Sequence, residues 1–205
     1  IDSFDIVLLS DYKKVVLTES FTQSIITMAK GHHKKVLVDP KGDDYSKYRG
    51  ATLITPNKKE ASQASKIDIL DEQSLNHAGE MLKSELLLEA SVITLSEEGM
   101  AIFDEFGTTN ISATAKEVYD VTGAGDTVLA TLGFGIASGM DLIASAKMAN
   151  AAAAVVVGKL GSATVTLDEI IAYESAQHHQ EIDESICTFD TIKAKIEREK
   201  SLGKK

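Results

Sequence analysis

Asp120-Val121-Thr122-Gly123-Ala124-Gly125-Asp126-Thr127 is a glycine-bearing loop that runs straight into a helical segment, 126–138, closed by Gly139. Two glycines let the backbone turn tightly with no Cβ in the way. A helix start offers free N–H groups and roughly half a positive charge, a ready site for an anion. Asp126 stands among those donors. A carboxylate is out of place in a loop that only binds phosphate. It makes sense where it takes a proton from a hydroxyl while the N–H groups stabilise charge on a moving phosphoryl group. Read from spacing alone, Asp126 serves equally as a plain helix cap. Two other nucleotide patterns fail. Gly123-Ala124-Gly125 lacks the third glycine of a dinucleotide fingerprint, and no Gly-x4-Gly-Lys-Ser/Thr occurs.

Outward from this loop, apolar runs alternate with helical periodicity. Strands are expected at 6–9, 35–39, 51–55 and 91–95, with a shorter pair at 100–103 and 108–112 around Gly107. Helices are expected at 19–31, 57–65, 71–88 and 126–138, and Asp141 opens an alanine-rich one to about Val157. Alternating elements with wholly apolar strands predict an α/β fold, a mostly parallel sheet covered on both faces. Beyond Ile171 the character changes. Residues 176–187 read as a polar linker, and 188–202 as an amphipathic helix with Phe189, Ile192 and Ile196 on one face.

The 205 residues carry a formal net charge of -10. Such a chain repels nucleic acid and anionic lipid, so neither is expected as a partner. An anionic ligand must then be held by backbone dipoles, a metal ion or a few placed cations. The single cysteine, Cys187, forms no internal disulfide, which fits a cytoplasmic protein. No run approaches the ~20 apolar residues of a membrane span. The chain begins with Ile1, and a piece of a longer protein is expected.

The 120–126 segment resembles the C-terminal signature of PfkB-type carbohydrate kinases, a ribokinase-like family with a three-layer α/β/α sandwich. The resemblance implies that Asp126 is the catalytic base and that Gly123, Ala124 and Gly125 form the anion hole. Thr55-Pro56-Asn57-Lys58-Lys59-Glu60 is similar to the family's Asn-x-x-Glu segment beside the nucleotide phosphates and magnesium. Asn57 and Glu60 are three apart at a helix start and face the same way. Glu60, with Asn57, is thereby implied to hold Mg2+ through water, and Lys58 or Lys59 to neutralise phosphate. The residues alone read as a Pro-Asn helix start with solvated charges. Thr94-Leu95-Ser96-Glu97-Glu98-Gly99 resembles the segment that meets phosphate and ribose, which assigns Thr94, Ser96 and Gly99 to ATP. Asn150 falls where the family borders adenine, although its alanine neighbours equally indicate close helix packing. Asp120 and Thr122 become neighbours of a monovalent cation such as K+.

Four further stretches, 10–18, 38–42, 48–51 and 157–161, resemble the branch that phosphorylates D-glycero-β-D-manno-heptose 7-phosphate for lipopolysaccharide core synthesis. Val15 stands where that branch usually has glycine, a departure expected to alter the local turn. The resemblance implies a homodimer and an N-terminal sugar-binding lid lying outside this chain, with Asp11 and Lys14 toward the sugar end. It also implies a nucleotidyltransferase domain opening at 188–205. Under this reading residues 1–175 are the ATP-binding portion. Two rivals remain: another PfkB-type sugar or nucleoside kinase, and a non-catalytic nucleotide-binding or dimerising module.

Overall fold

The computed structural model describes residues 1, 3–113, 120–161 and 163–185, with side chains as far as 177. Contacts divide the chain into two compact units, Ile1–Val165 and Thr166–Lys205. In the first, six strands form one sheet in chain order: β1 (Ile6–Ser10), β2 (Lys35–Asp39), β3 (Leu53–Ile54), β4 (Ala90–Thr94), β5 (Met100–Asp104) and β6 (Gly107–Ile111). The pairings from β1 to β4 are parallel, while β5 runs antiparallel to both its neighbours. Each parallel step is bridged by helical structure, as a crossover requires.

Strands β2 to β5 are largely apolar because both faces are covered, whereas the edge strand β6 (Gly-Thr-Thr-Asn-Ile) alternates exposed and less exposed positions. Alternation sends Val36 and Val38 of β2 into one core with Ala101 and Phe103 of β5. Helices α1 (Glu19–Gly31), α2 (Lys58–Ser65) and α3 (Glu72–Glu85) close that side through Ile26, Ala61 and Leu82. Leu37, Met100 and Ile102 point the other way, against Leu132 of α4 (Ala124–Ala137) and Ala149 of α5 (Leu142–Val157). Burying each such leucine or isoleucine contributes about 1.5–3 kcal/mol. The result is the expected three-layer α/β/α arrangement.

Local signals set several boundaries. Thr18 caps α1 by accepting the Phe21 N–H, and Asp141 caps α5 by accepting that of Ala144. Helix α3 ends at Glu85, short of the expected residue 88. Leu87 turns left-handed (φ 53), and the N–H groups of Leu87 and Leu88 return to the carbonyls of Ser84 and Lys83. A leucine does here what glycine usually does at a helix end, so apolar periodicity overshot. Helix α4 begins two residues before its expected start, which changes the meaning of Asp126. Val15 adopts φ 57, the left-handed region that favours glycine, which strains a β-branched residue.

In the second unit, α6 spans Leu167–Ser185. Residues 176–185, read as linker, continue this helix, and His178 and His179 lie in it rather than in a loop. A polar composition is compatible with helix as well as with linker. Val118, Tyr119, Cys187 and the helix expected over 188–202 fall outside the described residues.

Candidate active site

The site is assembled at the carboxyl ends of β1, β2 and β4, where open α/β sheets bind ligands. Gly123 is the N-cap of α4 with φ 81, a left-handed turn that no side chain caps. Asp126 is the third residue of the first helical turn. It does not cap the helix. Ser10 Oγ donates to its Oδ1 at 3.0 Å, and the Tyr12 hydroxyl donates to its Oδ2 at 2.5 Å. Of the amides assigned to the anion hole, that of Ala124 is engaged by the Val121 carbonyl at 3.2 Å. Among the described residues no acceptor pairs with the N–H of Gly123 or Gly125. A Cβ built on Gly125 would meet only Asp39 Oδ2, at 3.8 Å. Asp120 accepts the Thr122 N–H at 2.8 Å, and the Thr122 hydroxyl and amide hold its carboxyl below the usual range.

Asn57 caps α2 in a reciprocal box. Its Oδ1 accepts the Glu60 N–H at 2.9 Å, and Glu60 Oε2 accepts the Asn57 N–H at 3.0 Å. The other Glu60 oxygen pairs with Lys41 Nζ. Asn57 also bridges to Thr94, bringing the helix start beside the end of β4. Gly99 has φ 97, and a Cβ there would lie 2.0 Å from the Ile111 carbonyl oxygen, so only glycine fits. Asn150 Nδ2 donates to the Ser112 carbonyl at 2.8 Å, tying α5 to the end of β6.

These pieces surround a cleft of about 740 Å³. Asn57, Lys58 and Lys59 line one wall, and Thr94, Ser96 and Gly99 a second. Ala124 and Gly125 contribute a third, and Asn150 a fourth with Ala154 and Val157. Glu60, Gly123 and Asp126, also assigned from sequence, do not line it. Asp126 turns instead toward Ser10 and Tyr12 at the end of β1.

That side holds residues to which the sequence analysis gave no role. Asp39 closes β2, and no hydrogen-bond donor serves its carboxylate among the described residues. Burial, then the charges of Glu60, Asp126 and Asp11, push its pKa up to about 7 against the opposing pull of Lys41. A half-buried carboxylate without a donor beside a second carboxylate suits a cation. Together with the few direct carboxylates and several waters that Mg2+ prefers, this donor set fits that ion. The usable signal was a lone carboxylate at the carboxyl end of the all-apolar run Val36-Leu37-Val38. Asp11 lies on the opposite side of the β1 terminus, 4% exposed, bonded by Lys47 Nζ at 2.5 Å, the Tyr48 hydroxyl at 2.6 Å and the Lys13 N–H at 2.7 Å.

Residues 1–169 match the model of the pfkB family carbohydrate kinases. The chain belongs to the pfkB family. Among relatives in this family, it is 56% identical over 201 residues to the bifunctional protein HldE of Wolinella succinogenes, covering 98% of this chain and 42% of that one. It is 53% identical over 205 residues to the HldE of Sulfurimonas denitrificans, covering 100% of this chain and 43% of that one. The chain thus spans less than half the length of these relatives. Its fold is similar to that of Arabidopsis thaliana ribokinase, solved with ribose and ATP: TM-score 0.75, 21% identity, 84% of this chain and 56% of that one. Escherichia coli phosphofructokinase-2, solved with potassium, gives a TM-score of 0.71 at 19% identity, over 83% of this chain and 56% of that one. The fold is therefore ribokinase-like. Among the described residues no helix is long and apolar enough to cross a membrane.

Proposed function

We propose that this chain carries the nucleotide-binding and phosphoryl-transfer part of a sugar kinase. The γ-phosphoryl group of ATP moves to the anomeric hydroxyl of D-glycero-β-D-manno-heptose 7-phosphate, giving the 1,7-bisphosphate for ADP-heptose and lipopolysaccharide core synthesis. One observation carries the reading. One helical turn places Gly125 in the wall of the cleft and, at the next residue, Asp126, whose carboxylate is held by Ser10 and Tyr12. Family membership, the HldE relatives and the heptose-branch segments support the choice of acceptor.

In this mechanism Asp126 takes the proton of the anomeric hydroxyl as its oxygen bonds to the γ-phosphorus. The bond from that phosphorus to the bridging oxygen breaks, and ADP leaves. The amides of Gly123 and Gly125, at the positive end of α4, stabilise charge on the transferring group. Lys58 and Lys59 neutralise phosphate at the cleft wall. Glu60, oriented by Asn57, and Asp39 would hold Mg2+. When bound, that ion screens the phosphate charges. Thr94, Ser96 and Gly99 meet phosphate and ribose, and Asn150 orders the wall beside the base. K+ at Asp120 and Thr122, a cytoplasmic homodimer, and a second, adenylyltransferase domain opening at 188–205 belong to the same reading.

The test compares heptose 7-phosphate, fructose 6-phosphate, ribose and a nucleoside as acceptors, measuring ADP release. Preference for the heptose phosphate is expected. Asp126→Asn should abolish turnover while calorimetric affinity for a non-hydrolysable ATP analogue with Mg2+ stays within about twofold. Near-normal turnover in that variant would sink the base assignment. Preference for another acceptor would leave a kinase of a different branch.

A further inference from the structure

Asp126 is exposed and, as the third residue of its helix, has nothing on α4 to fix its side chain. Its orientation comes from a strand more than a hundred residues earlier. Ser10 and Tyr12 are two apart at the end of β1, so their side chains share one face, and each hydroxyl bonds a different oxygen of the carboxylate. Asp11, between them, points the opposite way into the Lys47–Tyr48–Lys13 cluster, and its own N–H donates to the Asp39 carbonyl at 3.0 Å. The segment is therefore anchored from behind, which holds the Tyr12 hydroxyl in place although the residue is 59% exposed.

We propose that Tyr12 is a positioning residue of the phosphoryl-transfer site: with Ser10, its phenol holds the Asp126 carboxylate in the orientation from which it takes the acceptor's proton. The proposal rests on the kinase reading above. Each carboxylate oxygen has a second acceptor direction, so the two bonds leave room for the substrate hydroxyl. A carboxylate free to rotate would reach the reacting geometry in only part of its rotamers, and misplacement by about 1 Å costs on the order of 100-fold in rate. The Asp126 contact leaves a second mark, in that it pushes ionisation of the Tyr12 phenol above the usual tyrosine range. Asp39 acts in the same direction from further off.

The experiment has two arms, both on the full-length protein that carries the sugar-binding lid. In the first, tyrosine labelled with 13C at Cζ is titrated by NMR. The Tyr12 signal should ionise later than an ordinary exposed tyrosine, and Asp126→Asn should return it toward the ordinary value. In the second, Tyr12→Phe, which removes only the hydroxyl of an exposed ring, should lower kcat about 10- to 100-fold. KM for ATP and for the acceptor should stay within about twofold, and Ser10→Ala should act in the same direction. A Tyr12 titration unmoved by Asp126→Asn overturns the proposal, because the contact is then absent in solution. A normal titration with unchanged or increased kcat in Tyr12→Phe also overturns it, since the phenol then merely occupies the site. No turnover with any acceptor in the unsubstituted full-length protein, which carries the sugar-binding lid, sinks the kinase reading and this role with it, while the first arm still reports whether the contact exists.

Discussion

Replacing Gly125 by alanine separates the demands of the fold from those of the ligand. Gly125 is the second residue of α4, its φ is not in the left-handed region, and the added Cβ would meet only Asp39 Oδ2 at 3.8 Å, an ordinary contact. Alanine is better than glycine inside a helix by about 1 kcal/mol, and half of that is reasonable in a first turn. The fold should therefore gain about 0.5 kcal/mol. The same methyl group projects toward Asp39, beside the Gly125 amide, into the space the transferring phosphoryl group crosses between the cleft and Asp126 in the proposed mechanism. A phosphate oxygen held at hydrogen-bond distance from that amide would be pushed away. Losing one hydrogen bond to a charged group costs about 1.5–3 kcal/mol, roughly 10- to 100-fold in Kd. Thermal unfolding and calorimetric titration with a non-hydrolysable ATP analogue and Mg2+ on the same sample read both quantities. A stable variant that binds the nucleotide normally would refute the placement of phosphate at Gly125. A variant that loses stability would refute the claim that the space there is open.

Three further outcomes are expected. Val15→Gly should raise stability by about 1 kcal/mol in urea denaturation, because relief of a left-handed valine outweighs the added freedom of glycine in the unfolded chain; a loss would show that Val15 is unstrained in solution. Gly99→Ala should cost more than about 3 kcal/mol, since its Cβ falls 2.0 Å from the Ile111 carbonyl oxygen, and an unchanged unfolding midpoint would contradict that approach. Asp11 gives a pH signature. Burial raises its carboxyl, but the bonds from Lys47, Tyr48 and the Lys13 amide prevail and hold it below the usual range. A depressed folded-state value adds stability above the unfolded value near 4, and this is lost as pH falls through the folded one. Lys47→Met should therefore cost about 2–4 kcal/mol at neutral pH, and the cost should shrink in acid below about pH 4. A pH-independent cost would sink the ion-pair account.

The path of the backbone was legible because it depends on neighbours within about four residues. Thr18 and Asp141 cap their helices, Pro56-Asn57 opens α2, and strands β1 and β2 stand where apolar runs end in Ser10 and Asp39. Where glycine's usual role fell to another residue, local reading lost the boundary. Leu87 is left-handed without being glycine, and nothing in its composition announces it; Val15 is left-handed too, where the resemblance had marked a glycine position.

The sequence by itself determined the α/β alternation, the family signature at Asp120–Asp126 and the order of the segments that wall the cleft. Only the tertiary structure decided what surrounds Asp126. Whether it caps its helix or turns away depends on Ser10 and Tyr12, 116 and 114 residues distant. The pKa of Asp39 likewise depends on Glu60 and Asp126, which reach it because the sheet sets the end of β2 between those of β1 and β3. Backbone conformation is fixed by short-range sterics and hydrogen bonds. The electrostatics of a site come from groups that the order of strands brings together, and a linear pattern does not contain that order.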